Sequence, residues 1–345
     1  MDTITQGILG AAASQAVMTR RLPRGAGLIG AIGGMLPDLD IFIRSSSDPT
    51  VSMFFHRHFT HSLIFIPIGG MIAALPFLWM ERFKNQKKDV ILAAILGYAT
   101  HGLLDLFTSY GTQLYWPFSH HRVSLDWIAI VDPIYTLILA VGIFLTARSK
   151  GMRPARLALL FSTLYIFFGG WQHHRAIEAQ TQLAVMRKQS IERARVFPAP
   201  GSLLLWHSLY QANGRFYADG IRIPWFGPSL ILPGQSTDAT SYEELPLKAQ
   251  MNPETMRRVQ IFYWFADGFI APVAEGSNAI GDLRYTISTE NLAPLWGLQF
   301  DPETGMATQW SASRINRDNY RRLLREIVLG DPRYKSLKSL RVTSD

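Results

Sequence analysis

Three short stretches of the sequence carry aspartate and histidine residues at spacings that suit a metal ion. The first reads Leu-Pro-Asp-Leu-Asp and places Asp38 and Asp40 at the end of an apolar segment. Pro37 disfavours helical geometry in the residue before it, and in an extended chain carboxylates two residues apart point to the same side. This pair predicts convergence on an ion, although a solvated turn at a helix end has the same pattern.

The other two stretches add imidazole groups. His56, His58 and His61 lie within six residues of one another, directly before an apolar run. His101 and Asp105 are four residues apart, so they share one face of a helix and can bind one ion from neighbouring turns. Two structural alternatives stay open: histidines whose polar edges lie among lipid headgroups, and a His–Asp hydrogen bond inside a helix bundle.

Mixed imidazole and carboxylate groups are the ligands expected for zinc, manganese or iron, with zinc favoured. Such an ion lowers the pKa of bound water toward neutrality and generates a nucleophile. A carboxylate that the ion does not need is expected to act as general base, and Arg57 and Arg122 to bind an anionic group. Ser62 is not expected to be a nucleophile, because no nucleophile-elbow pattern surrounds it. The sequence contains no cysteine, which excludes thiolate zinc sites and disulfide frameworks.

Hydropathy indicates the elements that must position these groups. The chain has 345 residues, of which 48% are hydrophobic and 17% charged, but nearly all long apolar runs lie before Trp171. Because a membrane-spanning helix needs about 20 apolar residues, this half predicts a mainly α polytopic membrane domain. A soluble helical domain rich in apolar residues is the alternative. The apolar segments comprise residues 5–18, 26–43, 63–80, 90–107, 128–147 and 157–171.

Basic residues between the apolar segments predict an orientation. The connections after the first, third and fifth segments are rich in arginine and lysine, and the positive-inside rule makes them cytoplasmic. The Asp/His stretches and everything after Trp171 then face the extracytoplasmic side of the membrane. Because these connections account for much of the net charge of +8, the composition does not indicate nucleic-acid binding.

The sequence changes character after the apolar half. Alternating apolar and polar runs separated by Asn-Gly, Asp-Gly and Gly-Asp pairs predict strands, and residues 253–270 and 318–329 are predicted helices. We therefore predict a soluble α+β domain with an antiparallel meander. The predicted boundaries give a membrane-embedded domain at residues 1–175, a connecting helix or linker at 176–200, and the α+β domain at 201–345.

The order of these motifs resembles a known family. Met-Asp-Thr-Ile-Thr-Gln-Gly, Leu-Pro-Asp-Leu-Asp, His-Arg-x-x-Thr-His-Ser, His-x-x-x-Asp and Asp132-Pro133 follow one another within the first 135 residues. They resemble the bacterial inner-membrane-associated metal-dependent hydrolases, whose relatives include a LexA-binding membrane protein. Gln6 stands where many members have histidine, and His58 where a small residue is usual. The resemblance implies metal ligands at Asp38, Asp40, His56, His61, His101 and Asp105, and the residues expected to act in catalysis are Asp40, His61 and Arg57.

These expectations give one main hypothesis and two alternatives. The main one is a membrane-bound, metal-dependent hydrolase of an anionic ester, such as a phospholipid or a lipid-linked phosphate. The first alternative is a non-enzymatic membrane protein whose metal or polar cluster holds helices together and whose C-terminal domain binds a partner. A transporter with an intramembrane His/Asp relay is disfavoured, because the ionisable residues gather at one face instead of lining a path.

Overall fold

The structure is a computed structural model that describes residues 1–239, 253–274, 277–286, 288–301, 304, 306–312 and 317–340. The chain divides into two compact units. The first comprises Met1–Ile43 and Phe55–Gly170, and the second comprises Arg44–Phe54 and Trp171–Asp345. All three Asp/His stretches therefore belong to the first unit.

The first unit is helical. Its elements are α1 (Thr3–Met18), α2 (Ala26–Met35), α3 (Thr50–Phe55), α4 (Ile66–Leu78), α5 (Lys87–Asp105), α6 (Pro133–Ser149) and α7 (Arg153–Met186), of which α3 and α7 cross the boundary between the units. Short 3-10 turns occupy Leu36–Phe42, Phe59–His61 and Leu63–Phe65. Asp2 and Asp132 cap the N-termini of α1 and α6, and each side chain accepts backbone N–H groups that have no partner inside the helix.

The predicted polytopic membrane domain is wrong. In the part of the chain that the structure describes, no single helix is both long enough and apolar enough to cross a bilayer. One bent pair, Thr50–His61 followed by Leu63–Leu78 at an angle of 59°, satisfies the length and composition required only when its two parts are taken together. The multi-pass topology and the orientation that rested on six alternating segments are therefore not supported.

Helix breaks divide the apolar runs that the prediction treated as continuous. The run at 63–80 begins as a 3-10 turn, and α4 contains only 13 of its residues. The run at 26–43 leaves the α-helix at Leu36, next to Pro37, and continues as a 3-10 turn. Hydropathy counts apolar residues, whereas proline and capping residues decide how many of them join one helix.

Close backbone contacts hold α1, α2 and α5 together. A Cβ atom on Gly10 of α1 would lie 2.3 Å from the carbonyl oxygen of Gly30 of α2. A Cβ atom on Gly33 of α2 would lie 2.4 Å from the carbonyl oxygen of Ala94 of α5. Only glycine permits such an approach, and it sets the C-terminal turns of α2 and α5 beside each other. An apolar core packs beside these contacts, with buried Met18, Leu22, Ile29, Phe77 and Val90 among its members.

The described part of the second unit combines the end of α7 with strands and two further helices. Its elements in chain order are β1 (Arg193–Pro198), β2 (Leu205–Ala212), β3 (Arg215–Arg222), β4 (Leu230–Leu232), β5 (Ser236–Asp238), α8 (Pro253–Phe265), β6 (Ile270–Pro272), β7 (Ala279–Asp282), β8 (Trp296–Phe300), β9 (Ala307–Ser311), α9 (Arg317–Leu329) and β10 (Lys335–Ser336). The region 176–200, predicted as a connecting helix or linker, contains the last part of α7 and strand β1.

Two antiparallel sheets replace the single predicted meander. One has the order β1-β2-β3-β4-β10, with β5 also paired to β3, and the other has the order β6-β7-β8-β9. Asn213 and Gly214 join β2 to β3 with φ of 52° and 71°, as a two-residue type I′ turn requires. Ala176 and Leu183 of α7 pack on buried side chains of the larger sheet, including Trp206, so the helix covers one face of it.

Candidate metal centre

Four side chains of the first unit turn polar atoms toward one point. Asp38 lies in the 3-10 turn after α2, His61 in the turn before α4, and His101 and Asp105 in the last turns of α5. The Nε2 atoms of His61 and His101 are 2.9 Å apart. Asp38 Oδ1 lies 3.3 Å from Nε2 of His101 and 3.8 Å from Nε2 of His61. Asp105 Oδ2 lies 3.6 Å and 3.4 Å from the same two nitrogens.

The separations among Asp38, His61 and His101 suit three ligands of one ion, and Asp105 lies beside the two histidines. Nitrogen and oxygen ligands at about 2.0–2.1 Å from a tetrahedral zinc ion are about 3.3 Å from one another. The five distances above lie between 2.9 and 3.8 Å. The ligand atoms of Asp38, His61 and His101 all lie within 4.8 Å of one another, and all three residues are buried. The residues present therefore fit a divalent metal ion.

The outer nitrogen of each imidazole is occupied by a hydrogen bond. Nδ1 of His101 lies 2.5 Å from the carbonyl oxygen of Gly34, which can only accept, so this nitrogen carries the hydrogen. Nδ1 of His61 lies 3.3 Å from Asp40 Oδ2 and 3.0 Å from Oγ1 of Thr60, whose own hydrogen is donated to Asp40. Each ring therefore turns an Nε2 lone pair toward the other, and the short distance between them requires a proton or a metal ion.

Asp38 and Asp105 each have one carboxylate oxygen that accepts a hydrogen bond from a residue outside the cluster. Oδ2 of Asp38 accepts from Oγ1 of Thr3 at 2.5 Å, and Oδ1 of Asp105 accepts from Nε2 of Gln6 at 2.9 Å. Oδ2 of Asp105 is buried and has no hydrogen-bond donor among the described residues, although Nε of Arg57 lies 3.2 Å away. Buried polar atoms are normally hydrogen-bonded, so this oxygen has capacity left for a cation.

Burial and charge act in opposite directions on the histidines. Burial alone would lower the pKa of His61, but three surrounding carboxylates, with Asp105 the strongest, raise it to about 10. Burial and the neighbouring His61 lower the pKa of His101. Burial alone would raise the pKa of Asp38, but its contacts with His101 and His61 hold that pKa well below its ordinary value. In the absence of a metal ion, these shifts favour the charged form of His61 and the neutral form of His101.

Asp40 and His56 lie beside this cluster and outside it. Asp40 Oδ1 is 2.6 Å from Nδ1 of His56. Asp40 Oδ2 accepts from the backbone N–H of Arg57 at 2.9 Å and from Oγ1 of Thr60 at 2.8 Å, in addition to facing His61. Of the six residues expected to bind the metal, the structure thus brings four together and places these two around the outer edge of His61.

The two arginines expected to bind an anion both lie over the ring of one tyrosine. Arg57 is buried, with Nε 3.2 Å from Asp105 Oδ2 and Nη1 donating to Thr108, and its Cζ is 4.7 Å from the ring centre of Tyr110. Arg122 Cζ is 5.1 Å from the same ring, and its guanidinium donates to the backbone carbonyl of Tyr110. The positive charge of Arg57 therefore balances the negative charge of Asp105, whereas Arg122 is half-buried and more accessible to solvent.

Sequence reasoning missed several residues that hold these groups. Thr3 bonds Asp38, Gln6 bonds Asp105, and the Tyr98 hydroxyl donates to the Thr60 carbonyl oxygen at 2.6 Å. All three missed residues are polar side chains within helices that are otherwise largely apolar. That contrast is the sequence signal that would have identified them, because a polar group in such a helix is costly without a partner. The α-amino group of Met1 also contacts Asp105.

Comparison with known proteins places the site within a recognised region. The family model described as YdjM inner membrane protein matches residues 1–176, which include every residue of the cluster. The uncharacterised protein YfhP of Bacillus subtilis (strain 168) is 30% identical over 161 residues, which cover 45% of this chain and 45% of that protein. The match thus spans less than half of that relative, and no solved structure matches. Because this family model matches slightly more than half of the sequence, the chain belongs to the YdjM inner membrane protein family.

Proposed function

We propose that this protein is a metal-dependent hydrolase of an anionic ester, with a divalent ion bound by Asp38, His61, His101 and Asp105. The observation that carries the proposal is the 2.9 Å separation of two Nε2 atoms, each belonging to a ring whose Nδ1 is already engaged by an acceptor. Two imidazoles and two carboxylates favour zinc, with manganese or iron as alternatives. When bound, such an ion acts as a Lewis acid and lowers the pKa of water that reaches it.

Asp40 is better suited to positioning than to proton transfer. Its two oxygens face four groups: the side chains of His56, Thr60 and His61 and the backbone N–H of Arg57. Burial alone would raise the pKa of Asp40, but its contacts with His56 and His61 hold it well below the ordinary value. It therefore orients His61 for the ion, as carboxylates behind metal-binding histidines do.

His56 is the residue we assign to proton transfer. Its side chain is 21% exposed, whereas those of His61 and Asp105 are fully buried. Nδ1 of His56 is held by Asp40, which orients the ring, and the ring centre lies 6.0 Å from that of His61. A His–Asp pair at the edge of a metal site has the geometry of a general base that reaches water near the ion.

Arg122 is the group we assign to the anionic part of the substrate. Arg57 is buried and already balances Asp105, so it serves the cluster as a positioning residue. Arg122 is half-buried, and its guanidinium lies over Tyr110, whose ring centre is 5.1 Å from that of His56. An arginine close to the general base favours an ester with a negative charge, such as a phosphate diester or monoester.

The test measures metal content and turnover separately. Purified full-length protein is loaded with zinc and assayed with bis(p-nitrophenyl) phosphate, p-nitrophenyl phosphate and p-nitrophenyl acetate. We expect turnover of a phosphate ester, lost about 100-fold or more in His56→Ala with zinc retained, and unchanged in His121→Ala, an exposed loop histidine. Stoichiometric zinc without turnover of any ester would contradict the hydrolase and leave the ion with a structural role.

The burial of the cluster supports that structural role as a second candidate function. His101 and Asp105 are 0% exposed, and the ligands join α5 to the turns after α2 and before α4. An ion there would stabilise the helical unit by binding only its folded form. This candidate predicts a lower unfolding temperature on zinc removal, with no esterase or phosphatase activity.

A further inference from the structure

An exposed aromatic loop joins β3 to β4 in the second unit. Residues 224–228, here called the aromatic loop, read Pro-Trp-Phe-Gly-Pro. The side chain of Phe226 is 91% exposed and that of Trp225 is 55% exposed. Gly227 has a φ of +99°, in the left-handed region that favours glycine, so the turn that presents these rings depends on it. The loop therefore keeps two large apolar rings outside the core of the unit by a defined backbone conformation.

Arg175 of α7 fixes this loop. Its guanidinium donates to the carbonyl oxygens of Pro224 at 2.9 Å and Gly227 at 2.8 Å. The same group lies over the ring of Trp171, with Cζ 4.9 Å from the ring centre, and Trp171 is itself 50% exposed. Trp171 and the aromatic loop are thus parts of one surface, and both lie within the second unit.

Some of the polar groups of the loop backbone are bonded within the protein. Two of its carbonyl oxygens are bonded by Arg175, and its two prolines have no N–H group. Backbone groups that are satisfied within the protein remove the main cost of entering an apolar layer. The loop contains no acidic side chain, and the positive charge of Arg175 lies directly behind it.

We propose that the aromatic loop, together with Trp171, anchors the second unit in the headgroup layer of a lipid bilayer. The chain belongs to a family of inner membrane proteins, so a bilayer is the surface it meets. Tryptophan is enriched at membrane interfaces because its ring is apolar and its N–H group polar. The cation behind the rings suits anionic lipid headgroups, which attract arginine near the surface.

The test uses single cysteines, which the chain otherwise lacks. Full-length Phe226→Cys carries a nitroxide label and is reconstituted into liposomes of phosphatidylethanolamine and phosphatidylglycerol in equal amounts. The matched control is Ser236→Cys, an exposed position in β5 that pairs with Tyr217. Tyr217 lies five residues before Arg222, where β3 ends and the chain leads into the aromatic loop. The control position is therefore about 16 Å from that end of the strand. Accessibility to oxygen, which concentrates in lipid, and to an aqueous nickel chelate is measured for both labels.

We expect the label at 226 to be more accessible to oxygen than to the nickel chelate, and the label at 236 to show the reverse. Equal exposure of both labels to the chelate would overturn the proposal. Protection of the label at 226 from both reagents would also overturn it, because that result identifies a protein surface or a second copy of this chain as the occupant.

A second variant tests the role assigned to Arg175. Introducing Arg175→Ala into the labelled Phe226→Cys protein should sharpen the nitroxide spectrum and reduce its oxygen accessibility toward that of the label at 236. His174→Ala, at an exposed neighbour that contacts Glu178, should leave both measurements unchanged. An unchanged oxygen accessibility of the label at 226 in Arg175→Ala would show that the position of the loop does not depend on the hydrogen bonds from Arg175. Zinc content should be the same in all these variants, so the outcome is independent of the proposed hydrolase.

Discussion

Gly97 of α5 lies directly against Gly30 of α2, so close that a Cβ atom on Gly97 would be 2.1 Å from the Gly30 carbonyl oxygen. Four residues further along each helix, His101 donates from Nδ1 to the carbonyl oxygen of Gly34. Because four residues make about one helical turn, the same contact between helices that excludes a side chain also fixes the His101 ring. The distance between α2 and α5 therefore contributes to the geometry of the candidate metal centre.

Replacing Gly97 should damage the metal centre without touching a ligand. Gly97→Ala forces α5 away from α2, and we expect the affinity for zinc to fall about tenfold or more, the range seen when groups supporting a ligand are lost. Gly151→Ala is the matched control, because its added Cβ would meet only Ser149 Oγ at 3.6 Å. Competition with a fluorescent zinc chelator measures both, and equal affinities would show that the helix contact does not set the site.

Asp38 and Asp40 should respond differently to the same substitution. Asp38→Asn removes an inward-facing charge and should abolish stoichiometric zinc. Asp40→Asn should weaken zinc binding about 10- to 100-fold while leaving the stoichiometry at saturation unchanged, because Asp40 acts through Nδ1 of His61. Elemental analysis after dialysis against graded zinc concentrations separates the two results. Asp89→Asn, outside the site, is the control, and identical behaviour of the two variants would contradict the assignment.

His207 should make the stability of the second unit depend on pH. Burial lowers the pKa of His207 below its ordinary value of about 6.5, against backbone hydrogen bonds to Thr289 and Leu283 that raise it. The unfolded chain therefore binds the proton more readily, so this contribution to stability is complete above pH 6.5 and is lost as the pH falls.

The measurement for His207 is hydrogen exchange of the β2 and β3 amides at several pH values. Wild-type protection should decline below pH 6.5, by at most about 1.4 kcal/mol per pH unit, relative to His207→Gln, in which the titrating group is absent. His174→Gln alters an exposed histidine and should follow the wild type. A constant difference between wild type and His207→Gln from pH 5 to 8 would refute this pH dependence.

Asp132 should contribute strongly to the stability of the first unit. It accepts from the backbone N–H groups of Ile134 and Tyr135 and from the Tyr165 hydroxyl at 2.9 Å. Asp132→Ala leaves these donors without an acceptor, and we expect a loss of about 2 kcal/mol in the free energy of unfolding. Asp132→Asn keeps an acceptor oxygen and should cost less than half as much. Urea unfolding followed by circular dichroism compares the two, and equal losses would mean that the cap is not the cause.

The proximity of Asp38, His61, His101 and Asp105 was more predictable from the sequence than the fold. Their residue types, which are rare at the ends of apolar segments, made them candidates, and whether they bind a metal stays a prediction. The sequence did not indicate that Asp38 faces Nε2 of His61 whereas Asp40 faces Nδ1 of the same ring. The different roles proposed for the two carboxylates depend on this difference. Residue type and spacing carry no information on that choice.

The apolar half misled the prediction for a related reason. Counting apolar residues from 63 to 80 gives a length near that of a membrane span, but a 3-10 turn at Leu63–Phe65 takes the first part and α4 contains 13 residues. In the second unit, Asn213-Gly214 was a reliable signal, since two left-handed residues define a hairpin locally. The separation of the strands into two sheets depends on contacts between distant residues, which local patterns do not encode.

The carboxylates and the arginine around the metal centre also determine its electrical balance. Asp38, Asp40 and Asp105 contribute three negative charges, and Arg57, 3.2 Å from Asp105, contributes one positive charge. The buried α-amino group of Met1 also contacts Asp105, and burial lowers its pKa. With that group neutral, a divalent ion would make these side chains electroneutral, whereas a monovalent ion would leave them negative and a trivalent ion would leave them positive. In a buried site, an unbalanced charge is expensive. If the proposed ion binds here, charge balance would therefore favour a divalent ion before geometry selects the element.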